Sequence, residues 1–301
     1  PDIDFNIRCG NTLVGYATEE QLNNDLSYGD MFANLEFKDK IETEMQKVSK
    51  TFDRFRKLQL TQTPDDMQAF KDAKKDLNER LASLNELLNR KLYQEHTAGG
   101  QSYESWKSTQ QPFHWLAEFY QIIQGNHGFD VIIGNPPYVE QRKDELLEMG
   151  QPIDVAESGN LYSAVTYRCL SIINSMSCFG MIIPISFIST LQHRKIKIAL
   201  EKRGATYYSS YDIRPDHLFD GAAQRLTIFI NTAFQDSVYT DRQLRWYTIY
   251  RPHLFESITY SQMCSYFDMT FRSVGFSSNV LTKICDRQRF ADNVTCKGWV
   301  A

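Results

Sequence analysis

The sequence predicts an α/β protein: part of an open, doubly wound sheet into which an antiparallel helical hairpin is inserted. Three observations carry this. Phe129-Asp-Val-Ile-Ile-Gly134 is a short, largely β-branched run. Pro136 and Pro137 stop it at once, because neither can donate to a sheet ladder and each restricts the residue before it. Downstream, strand-like and helix-like stretches alternate, the pattern of parallel crossover units. Upstream, two long stretches repeat apolar residues every three or four positions, with charges of both signs between them.

Taken in order, Pro1 to Arg8 reads as a strand entry and Cys9-Gly-Asn11 as its exit loop. Ile41, Met45, Val48, Phe52 and Phe55 form one apolar stripe, and Leu77, Leu81, Leu84, Leu88 and Leu92 the other. Between them Thr63 is placed to cap a helix that has Pro64 at its first position. The bland reading of this hairpin is a structural insertion with solvated outer faces; the sharper one is a DNA- or partner-contacting arm. Pro64-Asp65 followed by Asp72-Ala-Lys74 mimics a metal-dependent nuclease pattern. Asp72 and Lys74 fall inside the expected helix, where that chemistry needs adjacent strands, so no metal site is expected. His96 to Gln111 reads as a polar loop around Gly99-Gly100, and Phe113 to Ile123 as a short apolar helix ended by Gly125. His114 sits among aromatics with no acid or nucleophile to pair with and reads as structural.

Phe129 to Gly134 is expected as a buried strand. Val139 to Ser158 is polar and rich in Glu, a loop that either closes over a site or stays irregular. Residues 160–176 have helical periodicity, Gly180 to Ser186 reads as a strand, and Leu191 to Lys202 as a basic helix closing at Gly204. Tyr207 to Ile213 and Leu226 to Ile230 read as strands with no helix between them, hence an antiparallel pair at the sheet edge. Leu244 to Tyr250 reads as a further strand, and Arg251-Pro-His-Leu-Phe255 as a turn into a helix.

The chemistry concentrates in Asn135-Pro136-Pro137-Tyr138. An amide, a rigid corner and a ring follow a strand directly, and ligands of open α/β sheets bind at the carboxyl ends of strands. A planar exocyclic amine has two N–H donors. The Asn135 side-chain oxygen can accept one and the Pro136 carbonyl the other, drawing the nitrogen lone pair out of conjugation and toward a methyl donor. Tyr138 offers a face on which an extruded base can stack. The bland alternative is a strand followed by a Pro-rich turn.

Phe129-Asp-Val-Ile-Ile-Gly-Asn-Pro-Pro-Tyr-Val139 resembles motif IV of amino-methylating DNA methyltransferases, in particular the adenine-N6 methylase part of Type IIG restriction–modification enzymes. Asn6-Ile-Arg-Cys-Gly-Asn-Thr-Leu-Val-Gly15 resembles their motif III segment, and Pro112-Phe-His-Trp115 the run before motif IV. The resemblance covers most of residues 1–250. It implies a partial Rossmann-like sheet of the S-adenosylmethionine (SAM)-dependent methyltransferase kind, SAM as cofactor and double-stranded DNA as partner. Asn135, Pro136, Pro137 and Tyr138 would be the catalytic corner. No Gly-x-Gly occurs in the 301 residues, so the resemblance places the methionine-binding part of the cofactor site upstream of Pro1 and implies that this chain alone binds SAM weakly. Asn11 is the cofactor-site candidate, with a cap of its own loop as the alternative. Phe219, in His217-Leu-Phe-Asp-Gly221, lies where the family often has a ring against the flipped base; the alternative is a core Phe. Asn160-Leu-Tyr162 resembles the start of the next motif, in which Asp-Leu-Tyr is commoner, so a cofactor contact by Asn160 is in doubt. His193, Arg194, Lys195 and Lys197 read either as phosphate contacts or as a solvated helix face.

Composition bounds the rest. A hydrophobic fraction of 42% and an aromatic fraction of 13% suit a folded domain. The net charge of −4 and pI near 5.9 mean that any DNA-facing basic surface is local. Cys9, Cys169, Cys178, Cys264, Cys285 and Cys296 show no Cys-x-x-Cys spacing, which argues for reduced thiols in a cytoplasmic protein and against zinc. No apolar run is long enough to cross a membrane. The expected organisation is 1–32, a first core part; 33–97, the hairpin; 98–250, the catalytic core; and 251–301, a helical run-in to a target-recognition region. Nuclease and target-recognition parts are expected in the same full-length chain. The function expected is SAM-dependent methylation of adenine N6 in duplex DNA by base flipping within a restriction–modification system. The alternatives are a glutamine (protein) or RNA base methyltransferase, or a non-catalytic DNA-binding fragment.

Overall fold

The computed structural model describes residues 4–27, 31–61, 67–96, 100–221, 223–234, 237–241 and 245–262. The expected Thr63–Pro64 cap, Gly99, Leu244, most of the 251–301 run-in, and Cys264, Cys285 and Cys296 lie outside these residues. Two compact units emerge. The first comprises Pro1–Phe129, Asp144–Pro152 and Arg168–Asn174; the second comprises Asp130–Lys143, Ile153–Tyr167 and Ser175–Ala301.

In the first unit no strand forms over residues 4–8, where one is expected; they make turns and a bend. Sheet-like pairing is instead a bridge between Asn11 and Pro112, with the Asn11 N–H donating to the Gln111 carbonyl at 2.8 Å. The loop passes so close to Phe113 that a Cβ on Gly15, at φ +133°, would lie 2.3 Å from the Phe113 carbonyl oxygen. Helix α1 (Glu19–Leu26) starts on Thr18, whose hydroxyl accepts from the Gln21 N–H, with Glu19 and Glu20 in the first turn facing the positive end of the helix dipole.

Helices α2 (Met31–Thr61) and α3 (Met67–His96) form the hairpin. Phe55 stacks on Phe70 near the connection, and the Lys91 ammonium reaches the Asn34 side chain at the far end, so the two helices are antiparallel. Ile41, Met45, Val48, Phe55, Leu77, Leu81, Leu84, Leu88 and Leu92 are buried, as their spacing predicts. The polar loop expected over 96–111 contains helix α4 (Tyr103–Gln110). Ser102 caps it, accepting from the Ser105 N–H, and Gln111 ends it in the left-handed region. The helix expected over 113–123 is broken into α5 (Trp115–Glu118) and a π-turn at Gln121–Gly125. Edge-to-face contacts of Phe129 with Trp115 and with Phe119 fill the bend.

The remaining elements are β1 (Phe129–Gly134), α6 (Lys143–Glu148), α7 (Ile153–Ala156), α8 (Leu161–Ile172), β2 (Ile173–Pro184), α9 (Ser186–Ser189), α10 (Arg194–Lys202), β3 (Thr206–Tyr211), β4 (Leu226–Thr232), β5 (Val238–Thr240) and β6 (Ser261–Gln262). The strands form one mixed sheet in the order β1-β2-β4-β3-β5-β6. β4 runs antiparallel to both β2 and β3, which makes β2 and β3 parallel to each other around it. β5 pairs parallel to β3, and β6 antiparallel to β5. The β3–β4 pair is antiparallel as expected but interior, because β5 and β6 extend the sheet beyond it.

Three further expectations are corrected. The stretch 139–158 is not a plain loop but carries α6 and α7, with Leu146, Val155 and Ala156 buried. The stretch 245–250 holds no strand; Thr248–His253 is a 3₁₀ turn around Pro252, whose missing N–H suits a turn better than a ladder. β1 is not buried: it is the outermost strand of the described sheet, and Val131 and Ile133 are 60% and 82% exposed. β-branched composition specifies a strand but not the cover over its faces.

Candidate active site

β1 carries Asn135 at its carboxyl end, and Pro136 and Pro137 turn the chain sharply. Pro136 is buried, whereas Asn135 and Pro137 are exposed. Among the described residues no donor reaches the Pro136 carbonyl. Tyr138 folds back so that its hydroxyl lies 2.5 Å from Asn135 Oδ1 and 3.1 Å from the Ile182 carbonyl on β2. A phenol has one proton and serves one of these acceptors at a time. Asn135 Oδ1 therefore keeps a lone pair for a second donor. Burial pushes the Tyr138 phenol up to about 12, so it stays a donor at neutral pH.

The Tyr138 ring is half-buried against a cluster of Tyr211, Leu218, Leu226, Trp246 and Leu254, and Phe219 packs on the same cluster. The structure thus brings the Asn-Pro-Pro-Tyr corner and Phe219 to one aromatic floor. Its Trp246 and Leu254 were not singled out from the sequence, and no local motif marks them.

The chain beyond Tyr138 is held to the start of α8. The Leu161 N–H donates to the Val139 carbonyl at 3.0 Å, the Gln141 N–H to the Gly159 carbonyl at 2.9 Å, and Glu140 bridges Asn160. The Asn160 amide is buried and donates to the Ser158 carbonyl at 2.8 Å, a turn-closing role. Behind it, Tyr162 Oη lies 2.8 Å from Ser186 Oγ and 2.9 Å from His193 Nε2, while Ser163 Oγ lies 2.8 Å from His193 Nδ1. Burial lowers the His193 pKa to about 4, so the imidazole is neutral.

The basic stretch, read either as phosphate contacts or as a solvated helix face, is divided by the fold. His193 and Lys197 are buried, and Lys197 pairs with Glu201 at 3.1 Å. Lys195 pairs with Asp154, leaving Arg194 and Lys195 on the surface. The amphipathic spacing of α10 turns every third or fourth residue inward whatever its charge.

Asn11 lies in the first unit, where its Oδ1 accepts from the Leu13 N–H at 3.2 Å and caps its own loop. His114 is fully inside the same unit. Its Nδ1 accepts from the Tyr16 N–H at 3.0 Å and its Nε2 faces Asn89 Oδ1 at 2.9 Å. Burial, with the Arg168 guanidinium, lowers its pKa to about 3, which fits a structural role. Asp72 accepts from Gln68, and Lys74 pairs with Asp4, both from the surface of α3. Among the described residues no three His, Cys, Asp or Glu side chains converge as a metal site, and no helix is long and apolar enough to cross a membrane. A cavity of about 450 Å³ in the first unit is lined by Phe5, Phe52, Phe55, Arg56 and Phe119, and by none of the candidate residues.

The mixed α/β sheet thus ends β1 in an Asn-Pro-Pro-Tyr corner whose ring packs on an apolar cluster. Residues 19–210, well over half of the chain, match the family described as Eco57I restriction-modification methylase, and the chain belongs to that family. No curated protein matches it. Among solved structures it is similar to a nuclease-deletion mutant of the Type ISP restriction-modification enzyme LlaGI bound to a DNA substrate mimic. That match has 14% identity and a TM-score of 0.38, over 56% of this chain and 19% of that one. The DrdV–DNA complex matches at 12% identity and a TM-score of 0.39, over 63% of this chain and 23% of that one. The methyltransferase subunit of a type I restriction-modification system from Streptococcus thermophilus matches at 14% identity and a TM-score of 0.31, over 57% and 39%. The chain thus spans less than half the length of each of these structures.

Proposed function

We propose that the protein methylates the N6 amine of adenine in double-stranded DNA, with SAM as donor and the target base flipped out of the duplex, as part of a restriction–modification system. The observation that carries this is the corner itself. Asn135 Oδ1 keeps an acceptor position, the Pro136 carbonyl has no donor among the described residues, and both directly follow β1, ahead of Tyr138, which packs on the same cluster as Phe219. Two acceptors on adjacent residues suit the two N–H donors of a flat primary amine. Accepting both protons raises electron density on the nitrogen and turns its lone pair out of the ring plane. Tyr138 fixes the Asn135 carboxamide through its hydroxyl and offers its ring, with Phe219, to the extruded base.

The fit to the cofactor is partial. Asn11 uses its Oδ1 on Leu13, which leaves its NH₂ as a donor toward a cofactor, and the sequence has no Gly-x-Gly turn to receive the methionine end. When bound, SAM supplies an electrophilic methyl group on sulfur. Asn135 and Pro136 would hold the acceptor nitrogen through its two N–H groups; as nitrogen bonds the methyl group the sulfur–methyl bond would break, S-adenosylhomocysteine would leave, and the extra proton would pass to water.

The test uses the complete protein, wild type beside Asn135→Ala, with labelled SAM and mixed-sequence duplex. Label in N6-methyladenine is expected for the wild type, with a loss of about 10²–10³-fold in the variant, the size typical of one polar group removed from a reacting centre. Label entering RNA or protein instead of DNA would overturn the DNA reading.

A further inference from the structure

Residues 245–255 take no part in the corner, yet they are built around its aromatic floor. Trp246 and Leu254 are buried in the cluster on which Tyr138 and Phe219 pack. The intervening backbone is tied to the loop after β3. The Thr248 N–H donates to the Asp216 carboxylate at 2.5 Å, the Arg251 guanidinium donates to the Leu218 carbonyl, and Arg245 pairs with Asp212 at 3.2 Å. Arg251 also sits 5.7 Å from the Trp246 ring centre. Between these anchors Tyr247, Ile249 and Tyr250 are 59%, 77% and 58% exposed. Rings and an aliphatic chain held outward this firmly form an apolar patch that single scattered surface residues do not.

Residues 245–255 contain Arg245, Arg251 and His253 and no carboxylate, in a chain of net charge −4. The cations of the segment each have a carboxylate at hand or lie against a ring: Arg245 pairs with Asp212, His253 with Glu256 at 2.9 Å, and Arg251 lies against Trp246. Asp212 is paired with Arg225 at 3.2 Å as well as with Arg245. The largely exposed Arg245 side chain can therefore leave Asp212 without stranding that carboxylate. Exposed rings alternating with cations fit a strand whose unpaired bases stack and whose phosphates are neutralised.

We propose that Tyr247 and Tyr250, with Arg245 beside them, form the surface that takes the DNA strand next to the extruded base. The inference rests on the base-methylating reading of the Asn135 corner and adds to it the residues that hold the opened strand. Flipping a base leaves its neighbours unstacked, and the two tyrosines restack them on rings already fixed in place through Trp246 and Leu254.

The experiment compares the complete wild-type protein with Tyr247→Ala/Tyr250→Ala and with Tyr247→Phe/Tyr250→Phe. Fluorescence anisotropy reads binding of a labelled mixed-sequence duplex carrying one unpaired adenine, with thermal unfolding and SAM titration in parallel. The expected result is DNA binding weakened by about tenfold or more in the alanine variant, the usual size of a lost stacking ring. The phenylalanine variant recovers it, and melting midpoint and SAM affinity stay unchanged. Equal DNA affinity in wild type and alanine variant overturns the inference while leaving the methylation reading in place. So does a change in sedimentation of the alanine variant at unchanged DNA affinity, which would make the patch a contact between copies of the chain. A wild-type protein that binds no duplex overturns the inference and the reading together.

Discussion

At the scale of single residues the corner combines two separable roles in Tyr138. Its hydroxyl orients Asn135 and its ring faces the apolar cluster. Tyr138→Phe removes the first role and keeps the second, so kcat is expected to fall by roughly three- to tenfold with little change in KM, the worth of one net hydrogen bond. Tyr138→Ala removes both, and KM for DNA is expected to rise as well; steady-state methylation assays separate the two. Asn135 to Tyr138 could be picked out as a candidate corner from the sequence because its four residues are adjacent in the chain. The floor beneath them could not, because Trp246 and Leu254 meet Tyr138 from more than a hundred positions away. The Tyr162–His193–Ser163 network was hidden for the same reason: a histidine on a basic helix reads as surface until the fold turns it inward.

Among the elements, the hairpin was the most legible, since each of its helices repeats one residue class at one period over several turns. Leu84 and Leu88 on α3 are fully buried, and truncating either to Ala is expected to destabilise the protein by about 2–5 kcal/mol. Denaturant unfolding followed by far-ultraviolet circular dichroism measures this. An unchanged midpoint would mean that the stripe does not form the hairpin seam. Shorter elements were read less well. α4 and α6 are polar helices of eight and six residues, too short for periodicity to rise above composition. α4 was signalled only by Ser102 at its cap, three residues before the amide that Ser102 accepts from. The strand expected over 244–250 gave way to a turn: the one expected from Arg251 starts earlier, at Thr248, and runs to His253.

For the whole molecule, the two buried histidines set a pH dependence. Both have pKa values lowered by burial, to about 3 for His114 and about 4 for His193. In the unfolded chain each titrates near 6.5. Between those values the unfolded state binds more protons than the folded one, so stability is full above about pH 6.5 and is lost as pH falls toward 4. Melting midpoints recorded from pH 7.5 to 4 are expected to drop across that window. His193→Gln, which keeps a polar group but cannot titrate, is expected to flatten the slope after its own fixed loss is subtracted. A slope unchanged in that variant would assign the acid sensitivity elsewhere.

The open flank of β1 has a practical consequence for anyone purifying the protein. Among the described residues nothing pairs the outer side of β1, so its amides and carbonyls, with Val131 and Ile133 exposed, are a template for another strand, from a second copy or from elsewhere in a longer chain. At high concentration two such flanks can zip together and turn a clear solution cloudy without any unfolding. Ile133→Lys places a charge on that row two residues before Asn135, and light scattering during concentration should then stay flat where the wild type climbs.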